Sequence, residues 1–199
     1  RSKFSKSWVK NALKNLDNLA TNPGLDKLEV RDVHDAVIIS PGPSLEKNIE
    51  ELSRLKESVF IVSPLRCVQI LGSYGITPDL VVQIDALEDE CAAGLNIQNV
   101  PPIRNLLLEG TVNPSLFQIK ADNIFWTLQE NVSGIHKLLD AKPTPFTAPS
   151  VAMFATYVCK HFGFQNICLL GQDLSASGNT VYAKGATDFL PEHGNPNHF

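Results

Sequence analysis

Long apolar runs are missing from this sequence of 199 residues. No stretch approaches the ~18 consecutive apolar residues of a membrane-spanning helix, so we expect no membrane span. An excess of positive charge is missing too, because 17 Lys and Arg stand against 21 Asp and Glu. Nucleic-acid binding usually requires a basic face, and nucleic acid is not expected as a partner. The segment from Arg1 to Lys10 lacks the apolar core of a signal peptide, and we expect a cytoplasmic location.

Cysteines are few, and several common motifs are absent. The four cysteines show no Cys-x-x-Cys spacing, so we expect small buried side chains in a reducing compartment rather than a zinc site. There is no Gly-x-Gly-x-x-Gly and no Gly-x-x-x-x-Gly-Lys-Ser/Thr, which argues against the usual dinucleotide fold and against a P-loop kinase. No nucleophile elbow is present either.

From Asp35 onward the sequence alternates apolar, strand-like runs with helix-like segments. The predicted strands are Asp35–Ser40, Ser58–Ser63, Asp79–Ile84, Asn105–Glu109, Asn123–Thr127 and Asn166–Leu170. The predicted helices among them are Leu45–Lys56, Leu65–Tyr74 and Val151–Phe162. Several strands are continuous runs of Val, Ile and Leu, which is typical of a sheet buried on both faces. The pattern predicts an α/β fold with a doubly wound, mostly parallel Rossmann-like sheet.

Three segments follow from the same pattern. Residues 1–30 are predicted to form a helical lead-in, because apolar residues recur at helical spacing over the first twenty positions. Residues 31–174 are predicted to form the Rossmann-like nucleotide-binding domain. Residues 175–199, rich in Gly, Asn, Pro and Ser, are predicted to be a loop or tail over the carboxyl edge of the sheet. The chain starts without Met, and we expect a piece of a longer protein.

The turn from Pro41 to Leu45 is the most informative motif. It follows an apolar strand and opens a helix, an arrangement with which parallel α/β sheets bind phosphate. The glycine at position 42 permits a tight turn, and we expect backbone N–H groups to point outward. Ser44 can cap the following helix, and its hydroxyl can also meet a phosphate. The motif predicts an anionic ligand, such as a nucleotide.

Two further strands end in polar residues. The third is followed by Asp85, which either caps the next helix or faces the ligand at a ribose hydroxyl or a metal. The last is followed by Gly171, Gln172 and Asp173. Because parallel strands share a carboxyl edge, these groups are expected to lie together. Ser150 is predicted to cap the helix that begins at Val151, where its N-terminus forms a second potential anion site.

Together these motifs resemble a known family. Pro-Gly-Pro-Ser-Leu at the first strand, Gly-Ile-Thr-Pro-Asp before the third, Ser-Val-Ala at the late helix and Gly-Gln-Asp-Leu after the last strand are similar to the central domain of motility accessory factors. These proteins share a superfamily with 6-hydroxymethylpterin diphosphokinase-like proteins. The domain also resembles bacterial sialyltransferases that hold CMP-sialic acid with a Gly-Pro-Ser-Leu turn. The resemblance covers nearly the whole chain.

The resemblance implies a glycosyltransferase that moves a nonulosonic acid from a CMP-sugar to Ser or Thr of a flagellin-like acceptor, with no cofactor required. It implies that the nucleotide-binding residues are Gly42, Pro43, Ser44, Leu45, Ser150 and Gln172. It also implies that the catalytic residues are Asp85, Asp173 and Tyr182, with Asp173 as candidate base. The family often has Thr-His-Ala after Gly-Gln-Asp-Leu, whereas here Tyr182 stands in the position of that histidine.

Two alternatives remain open at this point. The first is a diphosphokinase, in which a pterin hydroxymethyl group attacks ATP and Asp85 and Asp173 hold the required Mg²⁺. The second is a nucleotide-binding module that keeps the fold without the chemistry. The tyrosine at position 182 favours the second alternative over a fully equipped enzyme.

Overall fold

The computed structural model describes residues 3–86, 100–129, 147–174, 182–183 and 186. Its helices are α1 Lys3–Lys14, α2 Leu16–Thr21, α3 Leu45–Leu55, α4 Val68–Ser73 and α5 Val151–His161. Its strands are β1 Asp35–Ile39, β2 Phe60–Pro64, β3 Leu80–Gln83, β4 Ile103–Glu109, β5 Ala121–Thr127 and β6 Asn166–Leu170. Short 3-10 turns lie at Leu25–Lys27, Leu65–Cys67 and Pro114–Gln118.

In the described part of the chain the strands form one sheet of six, in the order β5-β4-β3-β2-β1-β6. Every pair of neighbours is parallel. The predicted α/β fold with a Rossmann-like sheet is therefore confirmed. The strand order reverses between β1 and β6, which makes this the position where ligands bind in open α/β sheets.

Both faces of the sheet are covered, because alternate residues of each strand point to opposite sides. On one side, Ile39 of β1 packs with Leu45 and Ile49 of α3 and with residues of α4. On the other side, Ile38 packs with Phe154 of α5. Burial on both sides explains why the central strands β2 and β3 read as largely apolar runs.

The N-terminal lead-in forms two helices instead of the single one predicted, with the interruption at Asn15. Ala12 and Leu19 lie in a core cluster with Leu106 of β4 and Trp126 of β5. The helices thus cover the end of the sheet far from β6. No helix within the described residues has the length and apolar character to cross a membrane.

The edge strand β6 is only partly covered. Leu169 is 50% exposed, and Cys168 is exposed as well. The expectation of buried cysteines holds for Cys67 and Cys159 but is wrong for Cys168. The reason is its place in an outer strand, while Cys91 lies outside the described residues.

Candidate functional site

The loops after β1 and β6 are joined by a carboxylate. Asp173 Oδ2 accepts a hydrogen bond from the backbone N–H of Ser44 at 2.7 Å, and Oδ1 accepts one from the Ser44 hydroxyl. We call this pair of hydrogen bonds the clasp. The two bonds, with the charge of nearby Lys47, lower the pKa of Asp173. Ser44 stands at the start of α3, but its hydroxyl makes no capping bond to the helix, so the carboxylate supplies the cap instead.

The N–H groups of the turn are used within the protein. The N–H of Gly42 donates to the carbonyl of Gly171 at 2.9 Å, and that of Leu45 donates to the Gly42 carbonyl at 3.0 Å. The N–H of Ser44 is bonded to Asp173. The expectation from the sequence that these N–H groups point outward is therefore wrong. The loop after β6 closes the turn, so these N–H groups are not free to bind a ligand at the carboxyl edge.

Two glycines permit this closeness. A Cβ at Gly42 would overlap the Gly171 carbonyl oxygen and lie 2.6 Å from Asp173 Oδ2. Gly171 has a φ of +76°, and a Cβ there would overlap the Ser40 carbonyl oxygen. Both glycines are required by the approach of the β1 and β6 loops to each other.

Gln172 and Tyr182 also lie at this edge. The Ser40 hydroxyl donates to Gln172 Oε1 at 2.5 Å, which joins β1 to β6 a second time. Next to Tyr182, the N–H of Ala183 donates to the Pro41 carbonyl at 2.7 Å. The described part of the predicted tail is thereby fixed over the turn after β1.

The ends of β2 and β3 add an arginine and an aspartate. Arg66 lies in the 3-10 turn after β2, with its guanidinium carbon 4.7 Å from the centre of the Tyr182 ring. Asp85 follows β3 and accepts a hydrogen bond from Gln83 Nε2 at 2.5 Å. Burial raises the pKa of Asp85, opposed by the charge of Arg66 and the bond from Gln83. Sequence reasoning missed Arg66, because no motif surrounds it.

The backbone beside Asp85 is held by the N-terminal helix. Asn11 Nδ2 donates to the carbonyls of Ala86 at 2.8 Å and Thr111 at 3.1 Å. The helix that Asp85 was predicted to cap as one alternative would fall on residues outside the described ones. The role of Asp85 at a ribose or a metal stays a prediction.

Ser150 accepts a hydrogen bond from the N–H of Met153 at 3.3 Å and so caps α5, as predicted. This helix packs on the face of the sheet opposite α3. The bonds described for Ser150 lie within its own helix, and they do not bring it to the clasp. Its predicted nucleotide-binding role remains a prediction, as do the roles of Pro43 and Leu45.

Asp79 lies at the opposite, amino-terminal edge of the sheet. Its carboxylate accepts two bonds from Arg31, at 2.6 and 2.8 Å, and one from the N–H of Ile61 at 2.7 Å. Asp79 therefore ties the segment before β1 to the starts of β2 and β3. We call the Arg31–Asp79 pair the latch, and it lies away from the ligand edge.

The sequence analysis also missed a buried carboxylate. Glu109, at the carboxyl end of β4, is 1% exposed. It accepts bonds from the N–H and hydroxyl of Thr111 and from the N–H of Gln129. Burial raises its pKa, against the effect of these bonds. Among the described residues, no group of three or more His, Cys, Asp or Glu is placed to hold a metal ion.

An all-parallel sheet with polar strand ends at the point of order reversal defines a Rossmann-like domain with a ligand edge. The chain belongs to the 6-hydroxymethylpterin diphosphokinase MptE-like family, whose model matches residues 10–179. This confirms the superfamily that the motifs indicated.

The fold is also similar to the structure of the MAf glycosyltransferase from Magnetospirillum magneticum AMB-1, with a TM-score of 0.70 at 18% identity. That match covers 87% of this chain and 28% of the other, so this chain spans less than a third of that protein. No curated protein matches the chain.

Proposed function

We propose that this chain is the nucleotide-sugar-binding domain of a glycosyltransferase. The donor is a CMP-sugar of the nonulosonic acid class, and the acceptor is a Ser or Thr hydroxyl of a flagellin-like protein. The observation that carries the proposal is the row of polar groups contributed by β6, β1, β2 and β3 at one edge. The similarity of fold to the Magnetospirillum glycosyltransferase also supports this proposal.

In the proposed reaction the acceptor oxygen attacks the anomeric carbon of the sugar. The bond from that carbon to the phosphate oxygen breaks, and CMP leaves with the bonding electrons. The proton of the acceptor hydroxyl passes to a base. Donors placed around the leaving phosphate stabilise the charge that develops there. No metal or organic cofactor is needed in this sequence of steps.

The pKa values of the two carboxylates are shifted in opposite directions. Asp173 gives both oxygens to Ser44, and these bonds lower its pKa, which makes it a weak base. Burial raises the pKa of Asp85, and a raised pKa suits a carboxylate that must accept a proton near neutral pH. We therefore propose Asp85 as the base and Asp173 as the residue that shapes the turn.

The diphosphokinase alternative receives support from the family match. It requires Mg²⁺, which neutralises phosphate charge in phosphoryl transfer. Asp85 is a suitable oxygen ligand, whereas both oxygens of Asp173 already accept hydrogen bonds from Ser44. The clasp therefore fits the glycosyltransferase better than a site in which both aspartates hold the metal.

A thermal-shift measurement tests the proposal. The chain is heated with cytidine, CMP or a CMP-nonulosonic acid, and in parallel with ATP and Mg²⁺, each with and without EDTA. Ligand at 100 times its dissociation constant stabilises the native state by ~2.7 kcal/mol, which is about 5–10 °C for a chain of this size. A shift with CMP that persists in EDTA is expected. A shift only with ATP and Mg²⁺ favours the diphosphokinase.

A substitution separates catalysis from binding alone. Asp85→Asn should abolish sugar transfer and leave the shift with CMP close to that of the unsubstituted chain. The assay supplies the CMP-sugar and a flagellin acceptor and detects the added mass on the acceptor. Transfer by the Asp85→Asn variant at the unsubstituted rate would remove Asp85 from the mechanism. Binding without transfer by the unsubstituted chain would favour a binding module.

A further inference from the structure

The position of Arg66 sets it apart from Arg31, the arginine tied to the opposite edge of the sheet. Arg66 follows β2 at the carboxyl edge, between the turn after β1 and Asp85 after β3. Its guanidinium stacks on the Tyr182 ring, and the segment of Tyr182 is fixed by the bond from Ala183 to the Pro41 carbonyl. The arginine is therefore held in place from the side of β1.

Arg66 is half-buried, yet among the described residues its guanidinium donates no hydrogen bond and forms no ion pair within 4 Å. Arg31, by contrast, gives bonds to Asp79, Lys56, Glu57 and Val59. A half-buried guanidinium whose donors have no acceptor in this part of the protein is suited to an oxyanion, because it can bind two oxygens side by side.

Arg66 itself supplies the positive charge that an anion needs at this place. The N–H groups of Gly42, Ser44 and Leu45 are taken by the protein, so the turn after β1 offers little charge of its own. Arg66 is close enough to Asp85 for its charge to act on that carboxylate, yet the two side chains form no ion pair. A ligand oxyanion can thus reach the guanidinium without displacing a salt bridge.

We propose that Arg66 binds the phosphate of the nucleotide donor, and that the Tyr182 ring holds the guanidinium plane in position. This inference rests on the proposed function for the identity of the ligand, but the anion site itself does not. In glycosyl transfer the phosphate gains charge as the bond to the sugar breaks, and the guanidinium stabilises that charge. Tyr182 is then a positioning residue, which acts through its ring.

The test compares variants with probes that differ in phosphate. Binding of inorganic phosphate, CMP and cytidine is measured by calorimetry on the 199-residue chain and on Arg66→Gln, Arg66→Lys and Arg54→Gln. Arg54 is a matched control, because it is exposed and paired with Glu51 on α3. Circular dichroism and melting temperature establish that each variant is folded.

Arg66→Gln should weaken phosphate and CMP binding about ten- to hundredfold, as expected for hydrogen bonds to a charged group, and leave cytidine binding unchanged. Arg66→Lys should recover only part of the loss, since an ammonium cannot bind two oxygens in one plane. Arg54→Gln should match the unsubstituted chain. Tyr182→Phe should bind CMP normally, whereas Tyr182→Ala should lose several-fold in affinity.

The outcomes separate the two proposals. Phosphate binding that depends on Arg66, without any CMP binding, retains the anion site and rejects the nucleotide-sugar function. Phosphate and CMP binding that is equal in Arg66→Gln and the unsubstituted chain overturns the anion site, whatever the function. The anion site is likewise overturned if the unsubstituted chain binds no phosphate, or if a folded Arg66→Gln loses cytidine as strongly as CMP.

Discussion

The carboxylate of Asp173 holds both the backbone N–H and the hydroxyl of Ser44, which lies 129 positions earlier in the chain. The pair joins the loops that follow the two strands at the point of order reversal. It occupies the start of α3, where a bound phosphate would otherwise meet N–H groups. The site is therefore preorganised by a group of the protein itself.

The clasp predicts a coupling that can be measured. Ser44→Ala and Asp173→Asn should each lower the free energy of unfolding, and the double variant should lose less than the sum, because both substitutions remove the same hydroxyl–carboxylate bond. Urea denaturation of the four proteins measures the coupling. The control is Ser53→Ala combined with Asp173→Asn, since the Ser53 hydroxyl bonds to the Tyr74 carbonyl elsewhere. That control pair should be additive, and additivity in the Ser44 pair would contradict the clasp.

Substitution of glycine by alanine is expected to change the free energy of unfolding in opposite directions at different positions. Gly42→Ala places a methyl group against Gly171 and Asp173, and we expect a loss of about 1–3 kcal/mol in the free energy of unfolding, as for overpacked sites. Gly171→Ala should also be destabilising, because it adds the strain of a positive φ. Gly72→Ala is the control, since no atom lies within 4 Å of the added Cβ. It should be neutral or stabilising by up to about 1 kcal/mol in helix α4, and a loss equal to that of Gly42→Ala would refute the packing argument.

The latch predicts a loss of stability without a loss of ligand binding. Asp79→Ala leaves Arg31 without its carboxylate partner and the N–H of Ile61 without that acceptor, so about 1–3 kcal/mol should be lost, as for hydrogen bonds to a charged group in a partly exposed pair. Arg54→Ala breaks only an exposed pair with Glu51, and the expected loss is below about 1 kcal/mol.

Denaturant titration measures both losses, and CMP binding is measured below the denaturation midpoint. Because the latch lies at the opposite edge from the clasp, folded Asp79→Ala should bind CMP as the unsubstituted chain does. A selective fall in CMP affinity would place Asp79 in the binding site instead.

Glu109 predicts a pH dependence of stability. Its ordinary pKa is 4.5, and burial raises it in the folded state. The native protein therefore keeps a proton that the unfolded chain releases, so the stability present below the ordinary pKa is lost as the pH rises through the folded pKa. Each pKa unit corresponds to about 1.4 kcal/mol. Glu109→Gln should flatten this decline in urea titrations from about pH 4 to 8.

The control for that measurement is Glu51→Gln, because Glu51 is exposed on α3. Asp85 has a raised pKa as well, so some decline should remain in the Glu109→Gln variant. If unfolding of the Glu109→Gln variant follows the same pH profile as the unsubstituted chain, the carboxylate of Glu109 is ionised in the native protein.

The strands were predictable because their signal is local. Runs such as Phe60–Pro64 and Leu80–Gln83 are buried along their whole length, and each run is visible without knowledge of its neighbours. The grouping of polar residues at the strand ends was predictable because parallel strands place their carboxyl ends at one edge of the sheet. Helix details were less so: Leu65–Cys67 forms a 3-10 turn before α4, where periodicity had predicted one helix.

The sequence by itself determined the fold class, the family and the edge of the sheet that carries Ser44, Asp85 and Asp173, because apolar periodicity and turn motifs act over a few residues. Only the tertiary structure decided how these groups are used. The clasp, the stacking of Arg66 on Tyr182 and the exposure of Cys168 depend on which strands become neighbours. That choice is made by packing between segments far apart in the chain, and no local pattern records it.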